Sequence, residues 1–581
     1  MAMAEIVDLV IRGGLIADGN GGTPYRGDVF VDGGIIVAVG DGCHAGREEI
    51  DAAGKLVTPG FVDIHTHYDG HATWTSRLNP SSSHGVTTVV LGNCGVGFAP
   101  CRPDDRERLV KLMEGVEDIP KVVLDDGLPW TWETFPQYLD HLAGRHFDMD
   151  IATQLPHAPL RVYVMGERGA NREPATAEDI ARMRIIAQEA IAAGALGFST
   201  SRSLNHRASD GDPTPSVTAA ADELAGIAMG LSDAEAGVVQ LISDFDDVDG
   251  EFDVVRRIVG ESGRPLSLSL MQFPHAPTRW REILDRIEQA NKDGLSVRAQ
   301  VCGRPVGVLA GLELSFNPFS FCASYAPLAK LALAERVERL CDPATRAALL
   351  AEFPGTSVRA ISRSLSDLDR VFVMDSVPDY EPAAEASIGA QARALGKDPR
   401  DHAYDLMLED GGKLVFYIPA ANYVGGSIAA AEEMLRHPQT IYGLGDGGAH
   451  CGIVCDASLP TYMLSRWATR GGDGGLPVGE VVRGLTRDTA AMVGLDDRGR
   501  VAPGYRADLN VIDMDRIALH RPAIVYDLPS GGGRLNQKST GYVATVVAGQ
   551  VTYRDGEPTG VLPGRLVRRA RSAQNRDCAG T

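Results

Sequence analysis

The sequence predicts an α/β chain: a parallel barrel of alternating strands and helices, joined to a small β domain built from both termini. Three observations carry this. Strand and helix patterns alternate between residues 83 and 301. Residues 5–40 hold strand patterns with no helix between them. A second helix-free run occupies residues 507–553. Strands alternating with helices at this spacing argue for a parallel sheet, whereas strands without helices need another sheet to cover them.

Taken in order, residues 7–11 alternate loosely, and Gly13-Gly14 reads as a turn. Residues 28–31 and 35–39 flank Asp32-Gly33-Gly34, a hairpin signal. Pro59 and Gly60 are breakers ahead of Phe61-Val62-Asp63-Ile64, a short buried strand. Residues 83–95 read as a strand ending in a turn of small residues. Thr176 with Asp179 forms a capping box, and Ile180, Met183, Ala187 and Ile191 then recur on one helical face. Gly194 closes that helix, and residues 195–200 begin the next strand. Leu224, Ile227, Ala228 and Leu231 repeat the helical spacing before a strand at 238–243. A helix over 253–259, a strand over 265–270, a helix over 279–291 and a strand over 295–301 continue the rhythm.

Two stretches break it. Residues 101–145 hold charges, prolines and Trp130, Trp132, Phe135 and Tyr138; residues 303–412 are longer, with a helical run over 328–340. Long insertions usually sit on the side of a barrel where active sites form, so 303–412 is read partly as a lid, with extra barrel helices as the alternative. The expected division is 1–57 plus 500–560 for the small β domain, 58–499 for the barrel, and 561–581 for a C-terminal tail.

Composition narrows the partners. A net charge of -21 argues against nucleic acid and anionic membranes. No apolar stretch has the length of a membrane span, and residues 1–5 lack the pattern of a signal peptide. The nine cysteines are scattered, which fits a reduced, cytoplasmic setting better than a disulfide framework. The expected partner is a small molecule, and an oligomer is compatible with all of this.

The chemistry starts at His65-Thr66-His67. On a strand, alternate side chains share a face, so both imidazoles aim one way, as a pair of metal ligands would. The whole segment Pro59-Gly60-Phe61-Val62-Asp63-Ile64-His65-Thr66-His67 resembles the first-strand signature of the amidohydrolase superfamily. The resemblance implies metal-dependent hydrolases on a (β/α)8 TIM barrel, with a small β-sandwich domain built from both termini. Pro503-Gly504-Tyr505-Arg506-Ala507-Asp508-Leu509 resembles the family's usual return to that domain.

Two further segments resemble the D-aminoacylase (N-acyl-D-amino-acid deacylase) branch. Residues 441–450, ending Gly445-Asp446-Gly447-Gly448-Ala449-His450, are similar to its eighth-strand segment, where an aspartate touches the metal and moves the proton. That implies Asp446 as catalytic residue and ligand. Gly92-Asn93-Cys94-Gly95 is similar to the segment that supplies a cysteine ligand, implying Cys94. The resemblance also has gaps. Residues 122–291 contain no lysine, which excludes a bridging carboxylated lysine, and no histidine lies between His206 and His275, where the branch expects two. Asp244 is the nearby acid nominated to substitute. The tyrosine expected near the fourth-strand end is absent; Arg202, His206 and Arg207 stand there as substrate-binding candidates, with His450 from the later motif, while His71, beyond the first motif, is expected to face the same cavity as a support behind the metal ligands.

The expectation is a hydrolase of a C–N amide bond, an N-acyl amino-acid deacylase, with metal on His65, His67, Cys94 and Asp446. The cofactor is one Zn2+ ion or another divalent metal. The alternatives are a cyclic amide or imide hydrolase with the same metal site, and a barrel that binds an amide without cleaving it.

Overall fold

A computed structural model describes residues 6–42, 44–355, 360–468 and 474–568. Most of the expected tail, from residue 569 onward, lies outside the described residues.

The fold is a mixed α/β one. Its centre is two parallel sheets. One holds Phe61–Asp63, Val86–Leu91 and Asp150–Thr153. The other holds Leu155–Pro156, Gly197–Arg202, Val238–Ser243, Leu266–Leu270, Val297–Val301 and Thr440–Tyr442 in consecutive order. Backbone bonds join the sheets at both seams. Leu196 N donates to Thr153 O at 2.9 Å on one side; His67 N donates to Gly447 O at 2.7 Å, and Asp446 N to His65 O at 3.0 Å, on the other. The second seam sets His65, His67 and Asp446 side by side although they lie in distant parts of the sequence.

Helices Ala177–Ala192, Ala221–Asp233, Val248–Ser262 and Arg279–Lys292 alternate with these strands, as the apolar spacing predicts. Thr176 and Asp179 form the reciprocal capping box, which satisfies two otherwise unpaired backbone donors. Val86–Leu91 and Leu266–Leu270 are buried at every position, polar Thr and Ser included, because parallel strands are covered on both faces.

Strands from both ends of the chain share one nine-stranded sheet, in which Leu56–Pro59 pairs antiparallel with Leu509–Ile512. Leu9, Ile11, Val29, Val57, Leu509, Val511 and Val546 form its buried core. One expectation fails here. Gly13-Gly14 does not turn the chain: Ile6–Ile16 is a single strand with a bulge between Ile11 and Gly14. Gly13 takes a φ of 67°, which absorbs the extra residue, while neighbouring strands on both sides hold the chain straight. The hairpin at Asp32-Gly33-Gly34 forms as expected, with φ of 56° and 79° at the two glycines.

A buried network ties this sheet to the parallel strands. Arg498 donates to Asp150 at 2.9 Å and to Thr88 Oγ1 at 2.8 Å, and lies 3.6 Å from Asp508, which precedes Leu509–Ile512. The stretch 303–412 has its own core of Phe319, Leu340, Leu349, Leu365, Tyr404 and Met407. Its antiparallel sheet pairs Val306–Ala310 and Phe372–Val373 with Phe416–Ala421.

Candidate metal centre

His65 and His67 leave the first parallel strand buried, with ring centroids 5.5 Å apart. Cys94 Sγ lies 3.2 Å from His65 Nε2, and one donor atom from each of the three residues falls within 4.8 Å of the others. Asp446 Oδ1 lies 3.4 Å from His65 Nε2 and 3.8 Å from His67 Nε2. The four residues named as ligands from the sequence therefore converge, although 29 residues separate His65 from Cys94.

Backbone conformation sets two of them. Cys94 and Asp446 adopt φ of 54° and 48°, a left-handed region that side chains other than glycine and Asn/Asp rarely take. The turn before Cys94 is held from beneath: Cys94 N donates to Gln240 Oε1 at 2.9 Å, and Gly95 N to Ser199 Oγ at 3.0 Å. Gly92, with φ of 75°, passes so close to the third strand that a Cβ there would sit 2.2 Å from Gln154 O.

Behind each imidazole stands a group that spacing alone did not reveal, hydrogen-bonded to His65 and close to His67 without a hydrogen bond. His65 Nδ1 lies 2.8 Å from Gln300 Oε1, and the Gln300 amide nitrogen donates to Ser267 Oγ at 2.9 Å. With its nitrogen so used, Gln300 presents its oxygen, and His65 Nδ1 carries the proton. His67 Nδ1 faces Glu117 Oε1 at 3.2 Å. That leaves the His65 Nε2 lone pair for the space beside Cys94 and Asp446, which His67 Nε2 also faces. The signals were in the chain. Glu117 falls eight residues after Leu109 and four after Met113, on the buried stripe of helix Arg106–Glu117. Gln300 is a buried polar residue within the strand Val297–Val301.

The electrostatics fit a cation. Burial lowers His65 to about 4, and lowers His67 well below its ordinary value with help from His65, His450 and His206, so both are neutral ligands. Burial raises Asp446 to about 6 and Asp63 and Asp69 to about 7, and raises Glu117 well above the carboxylate range. It raises the Cys94 thiol too, helped by Glu117, Asp446 and Asp69. Asp63 Oδ2 and Glu117 Oε2 are buried with no hydrogen-bond partner among the described residues. Crowded acids beside two neutral imidazoles and a thiol are a donor set that a divalent cation would neutralise, and zinc accepts all three ligand types.

The substrate-binding candidates divide. His206 and His450 border the centre. His206 hydrogen-bonds Ser201 Oγ through Nδ1 at 2.9 Å, and His450 Nε2 lies 3.9 Å from Glu117 Oε2. Burial, with smaller contributions from His450 and His65, lowers His206 to about 4. Arg202 is a correction: its guanidinium grips Glu251 with both arms, at 2.7 and 2.8 Å, and donates to Ala219 O, so it is committed to the scaffold. Arg207 is exposed and donates to Gly211 O within its own loop. Asp244 is also corrected: its carboxylate accepts from Ser203 Oγ at 2.6 Å and Leu204 N at 2.8 Å, pinning the loop after the fourth strand. His71 is turned elsewhere, against Tyr68 and Trp74, with ring centroids 5.6 and 5.0 Å away.

Comparison with known proteins follows this geometry. A family model described as "Amidohydrolase family" matches residues 48–553. The chain is 27% identical over 572 residues to a D-aminoacylase of Alcaligenes xylosoxydans xylosoxydans, covering 97% of this chain and 98% of that protein. It is 27% identical over 570 residues to an N-acyl-D-aspartate deacylase of the same organism, covering 96% and 95%. Among solved structures, it resembles an N-acyl-D-glutamate deacylase from Bordetella bronchiseptica complexed with zinc and a phosphonate inhibitor. There the TM-score is 0.64 at 24% identity, with 97% of this chain and 100% of that chain covered, a likeness of fold.

Proposed function

This chain belongs to the amidohydrolase family, and from that premise we propose that it is a zinc-dependent N-acyl-D-amino-acid deacylase with one catalytic ion. The observation that carries the reading is the convergence of His65, His67, Cys94 and Asp446 on one buried point. The family's known deacylases among its relatives supply the substrate class. With Asp150–Thr153 and Leu155–Pro156 taken as one interrupted strand, the parallel strands number eight and are read as a closed (β/α)8 barrel over 58–499, with 1–57 and 500–560 as the small β domain.

A divalent ion held by these residues supplies a Lewis acid that lowers the pKa of water and polarises an amide carbonyl. The chain's own residues do the rest. His65 and His67 would hold the ion through Nε2, with Gln300 hydrogen-bonded behind His65 and Glu117 close behind His67. Asp446, half-buried at the rim, takes the proton of the attacking water and returns it to the leaving nitrogen. His206 and His450 flank the substrate. One ion suffices, since the bridging lysine and two further histidines are absent and Asp244 is engaged elsewhere.

The test is hydrolysis of paired N-acetyl-D- and N-acetyl-L-amino acids by zinc-loaded and chelator-stripped protein. Zinc-dependent release of the D-amino acid is expected. Equal turnover before and after stripping, or turnover of cyclic imides alone, would overturn the reading.

A further inference from the structure

Glu117 is a carboxylate 2% exposed at the end of helix Arg106–Glu117. Burying a charged carboxylate costs several kcal/mol unless something compensates it. Its oxygens face two neutral histidines without a hydrogen bond to either: His67 Nδ1 lies 3.2 Å from Oε1, and His450 Nε2 lies 3.9 Å from Oε2. The two oxygens thus address different parts of the centre. One reaches a proposed metal ligand from behind, and the other reaches a histidine proposed to flank substrate.

The backbone reinforces this bridge. His450 N donates to the Glu117 carbonyl. Asp118, next in the chain at φ of 53°, accepts from Gly452 N at 2.9 Å and from Ser315 Oγ at 2.7 Å. One two-residue turn therefore ties His67, the loop carrying Asp446 and His450, and the 303–412 insertion.

We propose that Glu117 is a positioning residue behind the metal site, its Oε1 backing His67 Nδ1 while its backbone carbonyl and Asp118 hold the loop that carries His450. The proposal rests on the deacylase reading above. A carboxylate behind a metal-bound imidazole fixes the tautomer and ring direction, and loss of such a partner typically weakens metal binding about 10- to 100-fold.

The experiment compares Glu117→Leu, which keeps bulk but removes the acceptors, with Glu117→Gln, which keeps one acceptor oxygen. Zinc affinity is read by competition with a chromophoric chelator, and KM and kcat are read on an N-acetyl-D-amino acid at saturating zinc. The leucine variant is expected to bind zinc about 10- to 100-fold more weakly. The glutamine variant is expected to recover most of the zinc affinity, because an amide oxygen still accepts the Nδ1 proton. Should Glu117→Leu not fold, Glu117→Asp, whose oxygens are withdrawn by one methylene, carries the same reading. Zinc affinity within twofold of the parent in the leucine or aspartate variant overturns the proposal. A parent that binds zinc but cleaves no N-acyl-D-amino acid overturns the deacylase reading, and the zinc titration then still decides the role of Glu117.

Discussion

Replacing Asp446 with asparagine removes the proton carrier while leaving its surroundings almost untouched. The side chain keeps its size beside His65 and His67, whose Nε2 atoms lie 3.4 and 3.8 Å from Oδ1. Asparagine also tolerates the φ of 48° at this position, where alanine would strain the turn. Three donors, His65, His67 and Cys94, remain to hold the ion. What is lost is the transfer of a proton from water to the leaving nitrogen. A positioned general acid–base contributes about 10²- to 10⁴-fold, or about 2.7–5.5 kcal/mol of barrier at 1.36 kcal/mol per decade. The prediction is that kcat of zinc-loaded Asp446→Asn falls by that factor, measured as D-amino acid released from an N-acetyl-D-amino acid. Zinc per chain, measured by elemental analysis on the same sample, stays near the parent value. A kcat within tenfold of the parent with zinc still bound would refute the proton-carrier role. Loss of zinc and of activity together would show that Asp446 matters chiefly as a ligand.

Three further outcomes follow from the same geometry. The double variant His65→Ala/His67→Ala should lose bound zinc and activity while keeping the parent far-UV circular dichroism; unchanged zinc content would end the ligand assignment. Elemental analysis of the parent, purified without chelator, should give close to one zinc per chain, and two tightly held equivalents would contradict the single-ion reading. Arg498→Met should destabilise the fold by about 3 kcal/mol, because it strips Asp150 and Asp508 of a buried cation. Arg506, 3.0 Å from Asp150 and 3.3 Å from Asp508, keeps the cost at the lower end of the range for a broken buried pair. Chemical denaturation showing less than about 1 kcal/mol of loss would mean that the network does not bind the terminal sheet to the parallel strands.

By itself, the sequence determined what depends on neighbours along the chain. Two-residue periodicity aimed His65 and His67 the same way. Helical spacing and the Thr176 capping box placed the helix Ala177–Ala192, and glycine pairs marked hairpins such as Asp32-Gly33-Gly34. Motif resemblance singled out Cys94 and Asp446, which the fold brings to those histidines. Tertiary structure alone decided which partner each polar group meets. Gln300, 235 residues from His65, sets that histidine's tautomer, and Glu117 backs His67. Arg202 ends the strand Gly197–Arg202 but finds Glu251 on helix Val248–Ser262, and His71 follows the metal motif yet packs among aromatic rings. Gly13-Gly14 could turn a free chain; strands on both sides make it a bulge. The division has one physical cause. Local spacing sets the direction in which a side chain leaves its own backbone, whereas a charge, a hydrogen bond or a strand edge is satisfied by whatever the folded chain brings opposite it.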